Sequence, residues 1–178
     1  MKFELVIYGK EGEGMETRNK SFSIRYAERK DAPLILWFIK EMASYEGEAH
    51  CVTATEEILL NSLFERKAAE VIIGEYDGKP VSFALFHNTF SNYLGKPGIH
   101  IVDLYIIPEV RGKGLGKIML SYLAKLAVQR DCGRLEWWCH NWNASAISFY
   151  KKQGAVPLEE LKTYRLTGKA LESFSEEF

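Results

Sequence analysis

The sequence is poor in anything that would hold it together covalently. Its 178 residues include three cysteines, Cys51, Cys132 and Cys139, scattered and without a C-x-x-C pair. Such an odd set argues against a disulfide framework and against a zinc site, and it fits a reducing cytoplasm. Charge of one sign is also missing. The 23 basic and 24 acidic residues leave a formal net charge of −1, without the basic surplus of a nucleic-acid binder. No apolar run approaches the roughly 18 residues that span a membrane. Neither nucleic acid nor membrane is therefore an expected partner. The opening stretch MKFELVIYGKEGEG has too short an apolar core for a signal peptide and no small-residue cleavage site. What is present is a globular composition, 47% hydrophobic and 26% charged, in a chain long enough to bury a sizeable core. No repeat or second core is legible, so one α/β domain is expected.

Residues 1–20 read as an N-terminal extension and residues 21–178 as the domain. FELVIY (3–8) has strand character, and the polar, glycine-rich stretch after it reads as a linker. This segment is either an extra edge strand or a loosely attached tail. FSIRYA (22–27) alternates as a half-buried strand does. KDAPLILWFIKEMASYEG predicts a helix capped by Asp31, with Pro33 in its first turn, Ile35, Phe38, Ile39 and Met42 on one face, and Gly47 as its stop. Glu41, Glu46 and Glu48 near that stop form either a solvated helix end or a negative field for a cationic ligand. TATEEILLNSLFERK predicts a second helix with Thr53 and Glu56 as a capping box. EVIIGEY and KPVSFALFHNT read as strands joined by the hairpin signal Asp77-Gly78. GIHIVDLYIIP is a third, largely apolar strand. KIMLSYLAKLAVQRDCG continues as an amphipathic helix ended by Gly133, RLEWWCH as a strand, and ASAISFYKKQ as a helix capped by Asn143 and ended by Gly154. LKTYRLT reads as a last strand.

Between GIHIVDLYIIP and the long helix lies RGKGLG, residues 111–116, followed by Lys117. Glycine permits positive φ and close backbone approach. The first N–H groups of a helix are unpaired, and its dipole is positive there. Glycines with basic flanks at such a junction suit a diphosphate-bearing ligand, whereas a glycine turn with no ligand is the bland reading. The spacing is not that of a P-loop, because three residues separate Gly112 from Gly116-Lys117 and Ile118 follows. It is not a dinucleotide fingerprint either, because Lys117 stands where the third glycine would be.

RGKGLG resembles the Arg-x-x-Gly-x-Gly acyl-CoA pyrophosphate loop of the GNAT N-acetyltransferases. WNASAISFYKKQGA, some thirty residues on, is similar to the other CoA-side motif of that superfamily. Element order agrees over about residues 22–168. IKEMASYE, YLGKPG, WNASAISFYKKQGA and TYRLTG resemble the diamine (spermidine/spermine) branch most. The resemblance implies a mixed, mostly antiparallel twisted sheet flanked by helices, with a splayed strand pair for acetyl-CoA. It implies that backbone groups of Leu104, Tyr105 and Ile106 pair with the pantetheine arm. The N–H groups of Arg111, Gly112, Lys113, Gly114, Leu115 and Gly116 would hold the pyrophosphate. Asn143 would hold the cofactor or pin its helix, and Tyr150 would protonate the departing thiolate. Without the flanking motif, Tyr150 reads as a core aromatic beside Phe149. Tyr45, Glu46, Tyr93 and Asp103 are the candidate acceptor residues. Acetyl-CoA is the implied cosubstrate, no metal is needed, and a homodimer using LKTYRLT is implied.

The chain departs from that branch where the strand reads Ile101-Val102-Asp103 instead of Leu-Glu-Asp. The glutamate associated with deprotonating the amine is Val102 here. Neighbouring strand residues face opposite ways, so Asp103 substitutes for it only through a bulge. Ser91 and Tyr93 stand where the polyamine enzymes carry an acidic residue and a tryptophan. Glu136, Trp138 and His140 alternate on one face of RLEWWCH. His140 reads as a structural histidine or an alternative base, with ordered water as a further possibility. The expected activity is direct acetyl transfer to a primary amine of a small molecule. The rivals are acetylation of a protein N-terminus or lysine, and a CoA-binding sensor with weakened catalysis.

Overall fold

A six-stranded sheet runs in chain order through the computed structural model, which describes residues 15–178. Its strands are β1 (Met15–Glu16), β2 (Phe22–Tyr26), β3 (Glu70–Tyr76), β4 (Lys79–Ser91), β5 (Lys96–Ile106) and β6 (Arg134–Trp137). All neighbours are antiparallel except β5 and β6, which pair in parallel. Hairpin chemistry explains β3–β4. Asp77 and Gly78 both hold positive φ (49° and 72°), as the turn that matches strand twist requires. The predicted strand at 3–8 lies outside the described residues.

Alternation along the strands places a core on each face. On one face Val71, Ile73, Phe83 and Tyr105 pack against Ile35 and Phe38 of α1 (Ala32–Glu46). Phe38 stacks on Phe83 with centroids 5.1 Å apart. Residues of opposite parity, Ile72, Ala84 and Phe86, are equally buried. The connection β5–α3–β6 returns to a parallel neighbour through α3 (Leu115–Gln129), which buries Leu115, Met119, Leu123 and Leu126. Just past α3, Arg130 clasps the Glu70 carboxylate at 2.6 and 2.7 Å and lies over the Phe86 ring.

Several local expectations need correction. Asp31 occupies the N-cap of α1 without capping it. Its carboxylate instead pairs with Arg25 at 2.7 Å and accepts from the Glu28 N–H. The cap of α2 (Glu56–Leu59, continuing through a wider helical turn to Glu65) is Thr55, which accepts from Ile58 N–H, not Thr53. α3 ends near Gln129, and Asp131 takes the left-handed turn (φ 53°) assigned to Gly133. Gly133 is needed for another reason: a Cβ there would lie 2.8 Å from the Leu94 side chain.

The described chain divides into two compact parts, residues 15–138 and 139–178. In the second, α4 (Ala144–Lys152) is capped by Asn143 Oδ1, which accepts from Ala146 N–H at 3.2 Å. Gly154, at φ 88°, ends it. LKTYRLT is irregular and exposed, not a strand. Alternation supplies strand propensity, but a strand needs a neighbour to take its N–H and C=O groups, and no described strand pairs with it. An eight-residue helix follows, α5 (Gly168–Ser175), which alternation did not suggest.

Candidate active site

The turn at 111–116 forms because two of its glycines adopt a conformation that other residues resist. Gly112 and Gly114 both sit at φ 79°, and Gly114 is the N-cap of α3. A Cβ at either would meet nothing within 4 Å, so the requirement is conformational and the space above the turn is open. Gly116 is different, since a Cβ there would make only an ordinary contact with Ile106. Open space, left-handed glycines and the positive end of a 15-residue helix make an anion cradle.

Arg111 does not serve this cradle as the motif suggests. Its N–H donates to Pro108 C=O at 3.2 Å, and its Nε donates to Ile106 C=O at 2.8 Å. Its guanidinium lies 4.9 Å over the Tyr45 ring and 5.3 Å over the Tyr105 ring, joining the end of α1 to β5 by cation–π attraction. The donors left to the cradle are those from Gly112 onward. Lys113 Nζ rests 4.6 Å over the Tyr76 ring. Leu115 is a core side chain, so only its backbone can face a ligand.

Next to the turn, β5 loses a neighbour. β6 pairs with it from Gly98 to Ile101 and stops, while β4 pairs with it as far as Ile106. Among the described residues, the backbone of Leu104, Tyr105 and Ile106 is therefore flanked by a strand on one side only. This is the splay that the resemblance implies, and such an edge accepts an extended chain by strand addition.

Where the splay begins, β5 bulges. Leu85 pairs with Asp103 and Phe86 with Ile101, so Val102 is the extra residue. Because Leu85 and His87 share a face of β4, their partners Asp103 and His100 share that face of β5. Val102 is thrown outward and is 43% exposed. Asp103 turns onto the α1 side. Burial, reinforced by the charge of Glu46 at the end of α1, pushes its pKa up to about 6. Two carboxylates thus lie close enough to repel beside that edge of β5, with Tyr45 at the same end of α1 under the Arg111 guanidinium. The sequence names a bulge only as the condition on which Asp103 could replace the missing glutamate, and it does not show the Arg111 clamp. The one sequence signal was an apolar residue standing where the diamine branch carries a carboxylate.

Other expected residues lie elsewhere. Tyr93 is at the tip of the β4–β5 hairpin and is 94% exposed. Six ladder positions separate that tip from the Leu85–Asp103 pair, about 20 Å at strand rise. Glu136 and Trp138 share the Asp103 face. His140 lies beyond the end of β6 and stacks on Trp142 at 5.5 Å, so the strand does not present it. Trp138 packs edge-on against buried His100 at 4.5 Å, with His87 at 5.3 Å. Burial and the neighbouring His87 lower the pKa of His100, leaving it neutral. Asn143 pins its helix. Tyr150 lies on α4 with its ring 5.4 Å from that of Phe149.

A glycine turn at a helix start, a strand edge and a half-buried carboxylate lie together along β5. Residues 26–155 match the model of the acetyltransferase (GNAT) family. The chain belongs to that family and is an N-acetyltransferase. It is 30% identical to L-ornithine N5-acetyltransferase NATA1 of Arabidopsis thaliana, over 88% of this chain and 90% of that protein. It is 32% identical to the thialysine N-epsilon-acetyltransferase of Caenorhabditis elegans, over 89% and 99%. Among solved structures, an integron cassette protein from the mobile metagenome of V. cholerae superposes with a TM-score of 0.73 at 26% identity, covering 88% of this chain and 98% of that one. No helix among the described residues is long and apolar enough to cross a membrane.

Proposed function

We propose that the protein transfers acetyl from acetyl-CoA to the primary amine of a small molecule, a diamine, polyamine or amino-acid-like amine. The observation that carries this reading is the bulge that turns Asp103 toward Glu46 beside the unpaired edge of β5. The relatives named for ornithine and thialysine support the acceptor class. We take residues 21–178 as the acetyltransferase domain and residues 1–20 as an extension whose Met15–Glu16 adds the short edge strand β1 to its sheet. We place the protein in the cytoplasm as a homodimer. The exposed apolar side chains of the C-terminal part, among them Leu161, Tyr164, Leu166 and Phe174, favour packing between chains.

The donor site fits the cosubstrate. The Gly112–Gly116 turn would take the pyrophosphate and the Leu104–Ile106 backbone the pantetheine arm. The thioester supplies an acyl carbon and a thiolate leaving group. The acceptor enters as an ammonium, since a lysine-type amine has a pKa of about 10.4. Glu46 and Asp103 attract that cation. Asp103, titrating near 6, receives its proton directly or through one water. The freed nitrogen forms the new C–N bond as the C–S bond breaks. Tyr150 returns a proton to sulfur, and no step calls for a metal.

Thiol release from acetyl-CoA, measured across small amines and lysine-bearing peptides, tests this reading. Turnover with small amines supports it. Turnover confined to peptides would establish the protein-acetylating rival. Tight acetyl-CoA binding without release to any amine would establish the sensor.

A further inference from the structure

Three side chains that acetyl transfer does not use meet just beyond α1. Glu48, His50 and Cys51 each offer a ligand atom, and these atoms lie within 4.8 Å of one another. The Cys51 thiol donates to the Glu48 carboxylate at 3.1 Å. The local fold explains the meeting. Ala49–Cys51 form a single tight helical turn, in which residues three apart eclipse. Glu48 and Cys51 therefore stack, with His50 beside them. Cys51 N–H donates to Glu48 C=O at 2.8 Å and closes the turn. Glu48 N–H donates to Ala43 C=O at 2.7 Å, which anchors the turn on the last carbonyls of α1. That is the negative end of the helix dipole, where a cation is favoured.

The donor set is selective. Thiolate, imidazole and carboxylate together suit zinc and not the hard cations, which take oxygen alone. Zinc–donor bonds of about 2.0–2.3 Å put neighbouring donors of a tetrahedron about 3.3–3.8 Å apart. Side-chain rotation of about 1 Å would close this trio on an ion, consistent with those bond lengths. All three residues are exposed, so an ion can reach them. The odd, scattered cysteines argue against a zinc site, and the side chains brought together at this turn run against that expectation. Here one cysteine joins a histidine and a glutamate.

We propose that Glu48, His50 and Cys51 form a binding site for a zinc-class divalent cation, with three protein ligands and water in the fourth position. Binding replaces the S–H bond of Cys51 by a metal–sulfur bond and releases one proton per ion. The ion clamps the 48–51 turn onto the end of α1 and takes no part in acetyl transfer. This site stands independently of the function proposed above.

Titrating the full-length, reduced protein with Co2+ tests the proposal. Expected are one equivalent bound per chain, a thiolate-to-cobalt charge-transfer absorption, displacement by Zn2+, and a rise in melting temperature with Zn2+. Cys51→Ser should abolish the charge-transfer band. Even an outer hydrogen-bond partner of a metal ligand is worth about 10–100-fold in affinity, so His50→Ala and Glu48→Gln should each weaken binding about tenfold or more. Cys132→Ser should leave the titration unchanged. The proposal is overturned if no thiolate band forms, if stoichiometric binding survives Cys51→Ser, or if the band is lost in Cys132→Ser. Equal affinity across all variants would likewise mean adventitious binding and end it. Because the three residues are surface positions, circular dichroism of each variant separates loss of a ligand from loss of fold.

Discussion

The proposed donor side and the proposed acceptor side are built by different means, though both border the same five residues of β5. The donor side is made of backbone: a turn opened by Gly112 and Gly114, and a strand edge left unpaired beyond Ile101. The acceptor side is made of side chains, and one extra residue, Val102, decides which of them face inward. A backbone site depends on conformation that glycine supplies locally. A side-chain site depends on register, which is a property of two strands together. Changes on the donor side should therefore act through cosubstrate binding, and changes on the acceptor side through the chemistry and pH dependence of the transfer.

Gly114→Glu should have the largest effect. It forces a side chain into φ 79°, and it places a negative charge over the turn proposed to hold a diphosphate. Acetyl-CoA binding, followed by calorimetry, should fall below detection while circular dichroism shows a folded protein. Unchanged affinity in the folded variant would break the assignment of the turn as a phosphate site.

Asp103→Asn comes next, and it separates the two sides most sharply. A general base typically contributes about 10²–10⁴-fold, so turnover should fall within that range while acetyl-CoA affinity holds. In the wild type, activity toward amines should rise through pH about 6 as Asp103 ionises, and the variant should lack that limb. Stability moves the opposite way. Between pH about 4 and 6 the folded chain keeps a proton that the unfolded chain has lost, so stability falls as pH rises, by about 3 kcal/mol for two pKa units. It stays low above 6. The asparagine variant should escape that fall and, at pH 8, melt above the wild type. A variant that loses activity without losing the acid limb would move the base elsewhere.

Tyr150→Phe should cost less, about 10²-fold at most, because thiolate is already a fair leaving group and the general-acid range begins near there. The ring is kept beside Phe149, so melting temperature should hold. Full turnover in this variant, with chemistry shown to limit the rate, would leave Tyr150 a packing residue.

The same contrast explains what the sequence showed and what it withheld. Strands β2 to β5, helices α1, α3 and α4, and the glycine turn are written in short-range patterns: alternation, helical spacing, Asp77-Gly78, Gly114 before an apolar face. Each needs only neighbours within a few residues. The bulge needed the pairing of β4 with β5, so Asp103 could be named as a candidate but not oriented. Arg111 shows the limit from the other side. Its motif position suggested a cofactor contact, yet its N–H and guanidinium are taken up by Pro108, Ile106, Tyr45 and Tyr105. LKTYRLT has the alternation of a strand but no described partner, and the helix after it followed no pattern strong enough to read.

Val102→Glu should have the smallest effect, and it tests whether register or residue type governs the acceptor side. The diamine branch carries glutamate where this chain has Val102, so on residue type alone the substitution would restore a base and raise turnover with diamines. The bulge argues otherwise. Val102 is the extra residue, half-exposed and opposite no partner on β4, while the inward place is already held by Asp103. A glutamate at 102 would be solvated, so burial would cost it little, and a surface change of this kind is typically within about 0.5 kcal/mol. Its charge would still lie near the Asp103 carboxyl and oppose its ionisation. The acid limb of the pH profile should then move slightly upward, with maximal turnover little altered and melting temperature nearly unchanged. If turnover with 1,4-diaminobutane instead rose severalfold and the limb moved to lower pH, the glutamate would have taken over as base. Register would then count for less than residue type, and Asp103 would be left to bind the acceptor, not to deprotonate it.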